Sequence, residues 1–123
     1  MMRLHPDDVV SAFERTKRIP IRLAWTTQDH RGGCAIDTVA LVRGISADAL
    51  RQELNIDYET GFLHAWDADS LSDPELLAEI KERSPTIQLG FLDGVACRGA
   101  VERVFSSKLL VIEDSADTPV EDV

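Results

Sequence analysis

Long apolar runs are missing from this chain of 123 residues. No segment approaches the roughly 18 consecutive apolar residues of a membrane-spanning helix. Met1 to Val10, broken by Arg3, His5, Pro6, Asp7 and Asp8, has no apolar stretch of the kind a secretory signal needs. Cysteine is scarce as well: Cys34 and Cys97 cannot form the dense disulfide framework of a small secreted domain. These absences point to a cytoplasmic protein with reduced thiols and no membrane partner. Cations are also in deficit, since 13 Lys and Arg stand against 22 Asp and Glu for a net charge of −9. Such a balance repels a phosphate backbone, so nucleic acid is not an expected partner. Three His and two Cys show no paired spacing, and no glycine-rich phosphate loop follows a strand, so neither a metal nor a cofactor is expected.

The hydrophobic content, 44%, suffices for one core without metal or disulfide staples. Charge is uneven along the chain. Glu113, Asp114, Asp117, Glu121 and Asp122 crowd into the last eleven residues, which also carry Pro119 and no apolar periodicity. The reading is a single helical domain over 1–112 and an acidic, disordered tail over 113–123.

Hydrophobic periodicity and capping residues predict a mainly α (α+β) domain: a compact bundle of five or six helices with a minor two-stranded β element. Pro6-Asp7-Asp8 reads as a helix start, with acids at the positive end of the dipole, and that helix should end near Lys17. Ile19, Ile21, Leu23 and Trp25 alternate with Pro20, Arg22, Ala24 and Thr26, the period of a half-buried strand. Thr27 to Gly33 reads as a polar loop. Cys34, Ala35, Val39, Leu41 and Val42 then predict a short buried helix stopped by Gly44. Ser46 is placed to cap a helix over 47–54, and Asn55 or Asp57 to form the next turn. Tyr58, Phe62, Leu63, Ala65 and Trp66 mark another helix, Pro74 opens a further one, and Ser84-Pro85 opens the longest, which runs to Phe105. Leu109 to Ile112 is the natural strand partner for Ile19 to Thr26.

An internal echo links two of these helices. Tyr58 to Trp66 matches Ile87 to Val95 in its placement of large and small residues, with a short helix before each. Glycine within a helix costs on the order of 1 kcal/mol relative to alanine. Gly61 with Ala65, and Gly90 with Gly94, are small pairs four apart on one helix face, flanked by Phe62 and Phe91. The spacing predicts close helix packing, either inside the chain or at a homodimer interface. Tyr58, Phe62, Trp66 and Phe91 are read as core in preference to a ligand pocket.

Gln28-Asp29-His30-Arg31-Gly32-Gly33-Cys34 is the most chemical stretch. A thiol at a helix start feels the positive dipole end, which lowers its pKa. The stretch resembles the papain-like cysteine proteases over these seven residues. That resemblance implies Cys34 as nucleophile and Gln28 as oxyanion donor, with His30 or His64 as the base. The departures are that such proteases take their His from a later strand of a β domain, while the only downstream His here, His64, falls in a predicted helix. A buried, structural Cys34 is the preferred reading.

Ala49 to Thr60 looks like a helix-turn-helix, with Leu50, Leu54 and Ile56 as packing positions. Arg51 stands where that motif takes a small residue and Gly61 where it takes a branched one. Tyr58 to Asp69 contains three acids and no Lys or Arg, the wrong charge for reading DNA. Asp67, Asp69 and Asp73 imitate a calcium loop, but Leu71, Ser72 and Ala78 replace its ligand, turn glycine and bidentate Glu, and an acid-rich cap at a helix N-terminus explains the same residues better. The expectation is therefore a protein–protein interaction or regulatory module without catalysis, acting on an unknown, basic partner or as a homodimer. A small Cys34-dependent hydrolase or transferase is the first alternative and a degenerate helix-turn-helix regulator the second.

Overall fold

The computed structural model describes residues 1–111; the acidic segment over 113–123 lies outside them. Six helices carry the fold: α1 (Pro6–Thr16), α2 (Ala35–Arg43), α3 (Ala47–Glu53), α4 (Ile56–Trp66), α5 (Pro74–Lys81) and α6 (Pro85–Val104). A small parallel sheet joins β1 (Ile19–Arg22), β2 (Gly32–Gly33) and β3 (Leu110–Val111) in the order β2-β1-β3. The mainly α bundle with a minor β element is the architecture observed.

Helix boundaries follow local chemistry. The side chains of Ser46, Asn55, Asp73 and Ser84 accept backbone N–H groups at the starts of α3, α4, α5 and α6. These bonds satisfy donors that have no partner inside the helix. Gly44 ends α2 in the left-handed conformation, at φ 72°, where a side chain would be strained.

The sheet differs from expectation in extent and strand number. The strand read over Ile19 to Thr26 stops at Arg22, because Leu23 turns to φ 69° and the chain leaves the ladder. Gly32 and Gly33, read as loop, pair in parallel with Ile19 and Pro20. On the other side Ile21 pairs with Leu110 and Arg22 with Val111, joining the two segments expected to be partners; Ile112, the end of the second, lies outside the described residues.

The centre of the molecule is the pair α4 and α6. A Cβ built on Gly61 would fall within the carbonyl of Ile87 and 2.8 Å from Phe91 N; one on Gly90 would fall within the carbonyl of Tyr58 and 3.0 Å from Phe62 N. One on Gly94 would stand 2.6 Å from Phe62 O. Contact partners advance in the same direction along both helices, so the two run parallel, with α5 in the crossover. The contact is reciprocal: Tyr58, Gly61 and Phe62 play toward α6 the parts that Ile87, Gly90 and Phe91 play toward α4. This is the pattern of an isologous interface, made here within one chain. The glycine faces are occupied internally and give no argument for a second copy.

From α4 an aromatic ladder runs into the core. Tyr58, Phe62 and Trp66 are each fully buried, Phe62 stacks on Trp66 at 6.2 Å, and Trp66 stacks on Phe13 of α1 at 6.1 Å. Trp66 Nε1 donates to Ile21 O at 2.8 Å, which ties the sheet to this ladder.

Replacing Gly61 or Gly90 by Ala forces two backbones apart and is expected to cost about 2–3 kcal/mol, with Leu costing more. Gly99→Ala in α6 is the opposite case. Its methyl would meet only the flexible end of Arg103 at 3.4 Å, and it should raise stability by about 0.5–1 kcal/mol through helix propensity. Urea unfolding of the variants reads both signs.

Candidate functional site

The segment expected to carry chemistry is organised by a residue that periodicity did not single out. Arg18 lies just before β1 with its side chain 3% exposed, and all five guanidinium N–H groups have acceptors. Its Nε donates to His30 O at 3.2 Å. One terminal nitrogen donates to Asp37 and Thr38, at 2.8 and 3.2 Å. The other donates to Thr26 Oγ1 and Gly32 O, at 2.7 and 2.9 Å. The loop between β1 and β2 is wound around this cation and fastened to α2 by it. A buried charge is tolerable only when satisfied in this way.

Cys34 precedes α2 and is 2% exposed. Its Sγ accepts the Asp37 N–H at 3.4 Å, so the sulfur does the work that Ser or Asn does at other helix starts. Burial pushes the thiol up to about 12, the Asp37 N–H opposes this, and the Asp37 and Asp67 carboxylates add to it. Desolvation thus outweighs the helix dipole, and the thiol is protonated at neutral pH. Cys34 reaches a cavity of about 250 Å³ together with Leu23, Ala24, Trp25, Leu63 and Asp67. Gln28 and His30 are exposed and do not line it. His30 sits at φ 61° with Nδ1 3.4 Å from Thr26 Oγ1. His64 is half-buried on α4 and faces a different cleft. Nucleophile, oxyanion donor and base are not brought together.

That different cleft, about 510 Å³, lies between the end of α4 and the start of α5. It is lined by Thr60, Leu63, His64, Asp67, Ala68, Asp69, Ser70, Asp73 and Leu76. Leu63 and Asp67 line both spaces, so the acidic cleft adjoins the apolar one. Asp67 Oδ1 accepts the Leu23 N–H at 2.9 Å. This bond holds Leu23 in a conformation that costs an L-residue of order 1–2 kcal/mol and leaves its side chain 57% exposed. Burial raises the Asp67 carboxyl, while the Leu23 N–H, Arg22, Arg98 and His64 pull it down less strongly.

Two arginines secure the floor. Arg98 of α6 donates to Ala65 O at 3.0 Å and Ala68 O at 2.7 Å, adding a charged donor to the carbonyls at and just past the end of α4. Arg22 donates to Asp67 O and to Asp69 Oδ1, both at 2.9 Å. Asp73, read from the sequence as part of a cap, accepts the Glu75 N–H at 3.0 Å. Among the described residues no three His, Cys, Asp or Glu side chains converge as a metal site.

In the helix-turn-helix segment, α3 and α4 are joined through Leu54 and Asn55. The helix that would read bases is α4, whose Tyr58, Gly61, Phe62, Ala65 and Trp66 are buried. Gly61, Phe62, Ala65, Gly90, Phe91 and Gly94, read as helix-packing or interface residues, are all buried in the α4–α6 contact region. Comparison with protein-family models, with curated proteins and with solved structures finds no match; the site is read from its own chemistry.

Two outcomes follow. Cys34 and Cys97, the latter also pushed up to about 12 by burial, should resist iodoacetamide in the folded chain near neutral pH and react on unfolding. Asp67 gives a pH test. Its folded-state value is raised, so its contribution to stability is greatest below the ordinary aspartate range and falls as pH rises through the raised value. Asp67→Asn keeps an acceptor for Leu23 N–H and should gain stability relative to the parent across that rise, as read by urea unfolding.

Proposed function

We propose that this chain is a protein-interaction module without catalysis of its own, and that its acidic cleft receives a basic segment of a partner protein. The observation that carries this reading is the grouping of Asp67, Asp69 and Asp73 around a cleft of about 510 Å³ that adjoins an apolar cavity walled by Leu23, Trp25 and Leu63. Carboxylates beside apolar walls suit a lysine or arginine side chain, whose aliphatic stem lies on hydrocarbon while its head stays on the charged rim. Arg22 already engages Asp69, but Asp69 is 92% exposed in that pair and such a pair exchanges readily with an incoming cation. The net charge of −9 adds long-range attraction for a basic surface, which raises association rate more than affinity. A protonated, buried thiol without an imidazole partner supports a binding role over a thiol hydrolase.

The test is a titration with an arginine- and lysine-rich peptide, followed by amide shifts. Shifts are expected over Thr60 to Asp73 and around Leu23, weakening with salt. Asp69→Asn with Asp73→Asn keeps a capping side chain on α5 and should lower affinity roughly 3- to 10-fold. Equal binding by this variant, or shifts confined to another face, would refute the reading.

A further inference from the structure

The opposite chemistry is gathered on another part of the molecule. A pocket of about 390 Å³ lies between the N-terminal segment, α1 and α2. Its apolar surface comes from Met2, Leu4, Ala12, Val39 and Val42, and its polar groups are Arg3, His5, Asp8, Ser11, Arg15 and Arg43. Three of the chain's 13 Lys and Arg converge here, on a protein that is otherwise strongly acidic.

The walls are fixed before any ligand arrives. Arg3 grips Asp93 of α6 through two bonds at 2.9 and 2.8 Å. Leu4 N donates to Tyr58 Oη at 2.9 Å, Cys97 Sγ donates to Leu4 O at 3.6 Å, and Leu4 is 3% exposed. The N-terminal segment is thereby bolted to the α4–α6 pair, and Ala12 and Val39 belong to the same packed core as Leu4.

The cations are unequal. Arg3 is neutralised by Asp93, and Arg43 meets Glu53 at 3.5 Å in a pair that is about half exposed. Arg15 makes no ion pair with a carboxylate among the described residues. Asp8 is the pocket's own carboxylate and sets a limit on the positive field. Arg15 is the cation with charge to offer from α1, and Arg43 on the α2 side, whose terminal nitrogen also lies 3.5 Å from Met2 Sδ, holds Glu53 only in an exposed pair that an incoming anion can exchange. Their guanidinium groups present planar donor pairs suited to a carboxylate.

We propose that this pocket binds a small anionic amphiphile, a carboxylate on a short aliphatic chain, with the chain against the half-buried Met2 and Val42, above the packed Leu4, Ala12 and Val39, and the carboxylate between Arg15 and Arg43. The volume lies in the range of pockets that bury small ligands, and apolar walls with a few convergent polar groups are their usual composition. This site is separate from the acidic cleft and takes a ligand of opposite sign.

Octanoate, octanol and octylamine share one chain length and differ in head charge, so amide-detected titration of the full chain separates the contributions. Octanoate should shift Ser11, Arg15, Val42 and Arg43 and bind more tightly than octanol, with octylamine weakest. Arg15→Gln and Arg43→Gln, both at exposed positions, should each lower octanoate affinity roughly ten-fold while leaving octanol unchanged. Val42→Phe, which fills the pocket, should abolish binding of octanoate and octanol together. Equal affinities for the three heads, octanoate binding unaffected by both glutamine variants, or shifts outside the pocket would each overturn the proposal.

Discussion

The approach of α4 and α6 at backbone distance is the constraint from which the other features follow. Two helices can come this close only where neither carries a side chain at the crossing, and Gly61, Gly90 and Gly94 provide that clearance. Once the axes are close, the side chains flanking the glycines are pressed to the sides of the pair. Tyr58, Phe62 and Trp66 then point into the space that α1 and the sheet complete, while Ile87, Phe91 and Ala65 form a smaller core with Ile80 of α5. Parallel alignment also sets the end of α4 beside the middle of α6, within reach of Arg98. The acidic cleft opens at that end, and its position is a consequence of the helix pair.

Buried arginines do for the irregular segments what glycine does for the helices. The loop after β1 and the turn after α4 turn carbonyls inward without the ladder of a regular element, and acceptors held away from water need donors. Arg18 gathers His30 O and Gly32 O, and Arg98 gathers Ala65 O and Ala68 O. Each spans segments distant in sequence with one rigid, always-charged fork, a role lysine cannot fill because its ammonium offers three donors at a point. Such residues cannot be found from hydrophobic pattern, since they are polar residues standing at core positions.

This explains what could and could not be read in the sequence. Helices were legible because their determinants are local: Ser46, Asn55 and Ser84 cap within three residues, Pro74 and Pro85 open a first turn, and Gly44 stops one. The echo between Tyr58–Trp66 and Ile87–Val95 was legible because small residues in a helix need a reason. The end of β1 was not, because alternation of Leu23 and Trp25 continues past the point where Asp67, 44 residues on, turns the chain. Gly32–Gly33 carries no side-chain pattern and becomes strand through its pairing with Ile19 and Pro20 and the bridge from Thr26 to Gly33. Asp67 looked like one of several acids near a cap. Its distinction, a carboxylate holding a strained backbone between two cavities, exists only after long-range contacts form.

The thiol shows how position within a motif can mislead when burial is unknown. A cysteine at a helix start gains from the dipole only if the thiolate can also be hydrated or paired with a cation. Around Cys34 the nearby charges are Asp37 and Asp67, both of the wrong sign, and burial is nearly complete. Arg18 spends its charge on Asp37 and on backbone carbonyls. The cation that orders the loop is thereby committed to groups other than the sulfur. What remains for chemistry is at the surface: acids around the end of α4, and arginines around the start of the chain, α1 and α2. These groups are held in place by a rigid interior and differ in sign, so they are suited to recognising different charges.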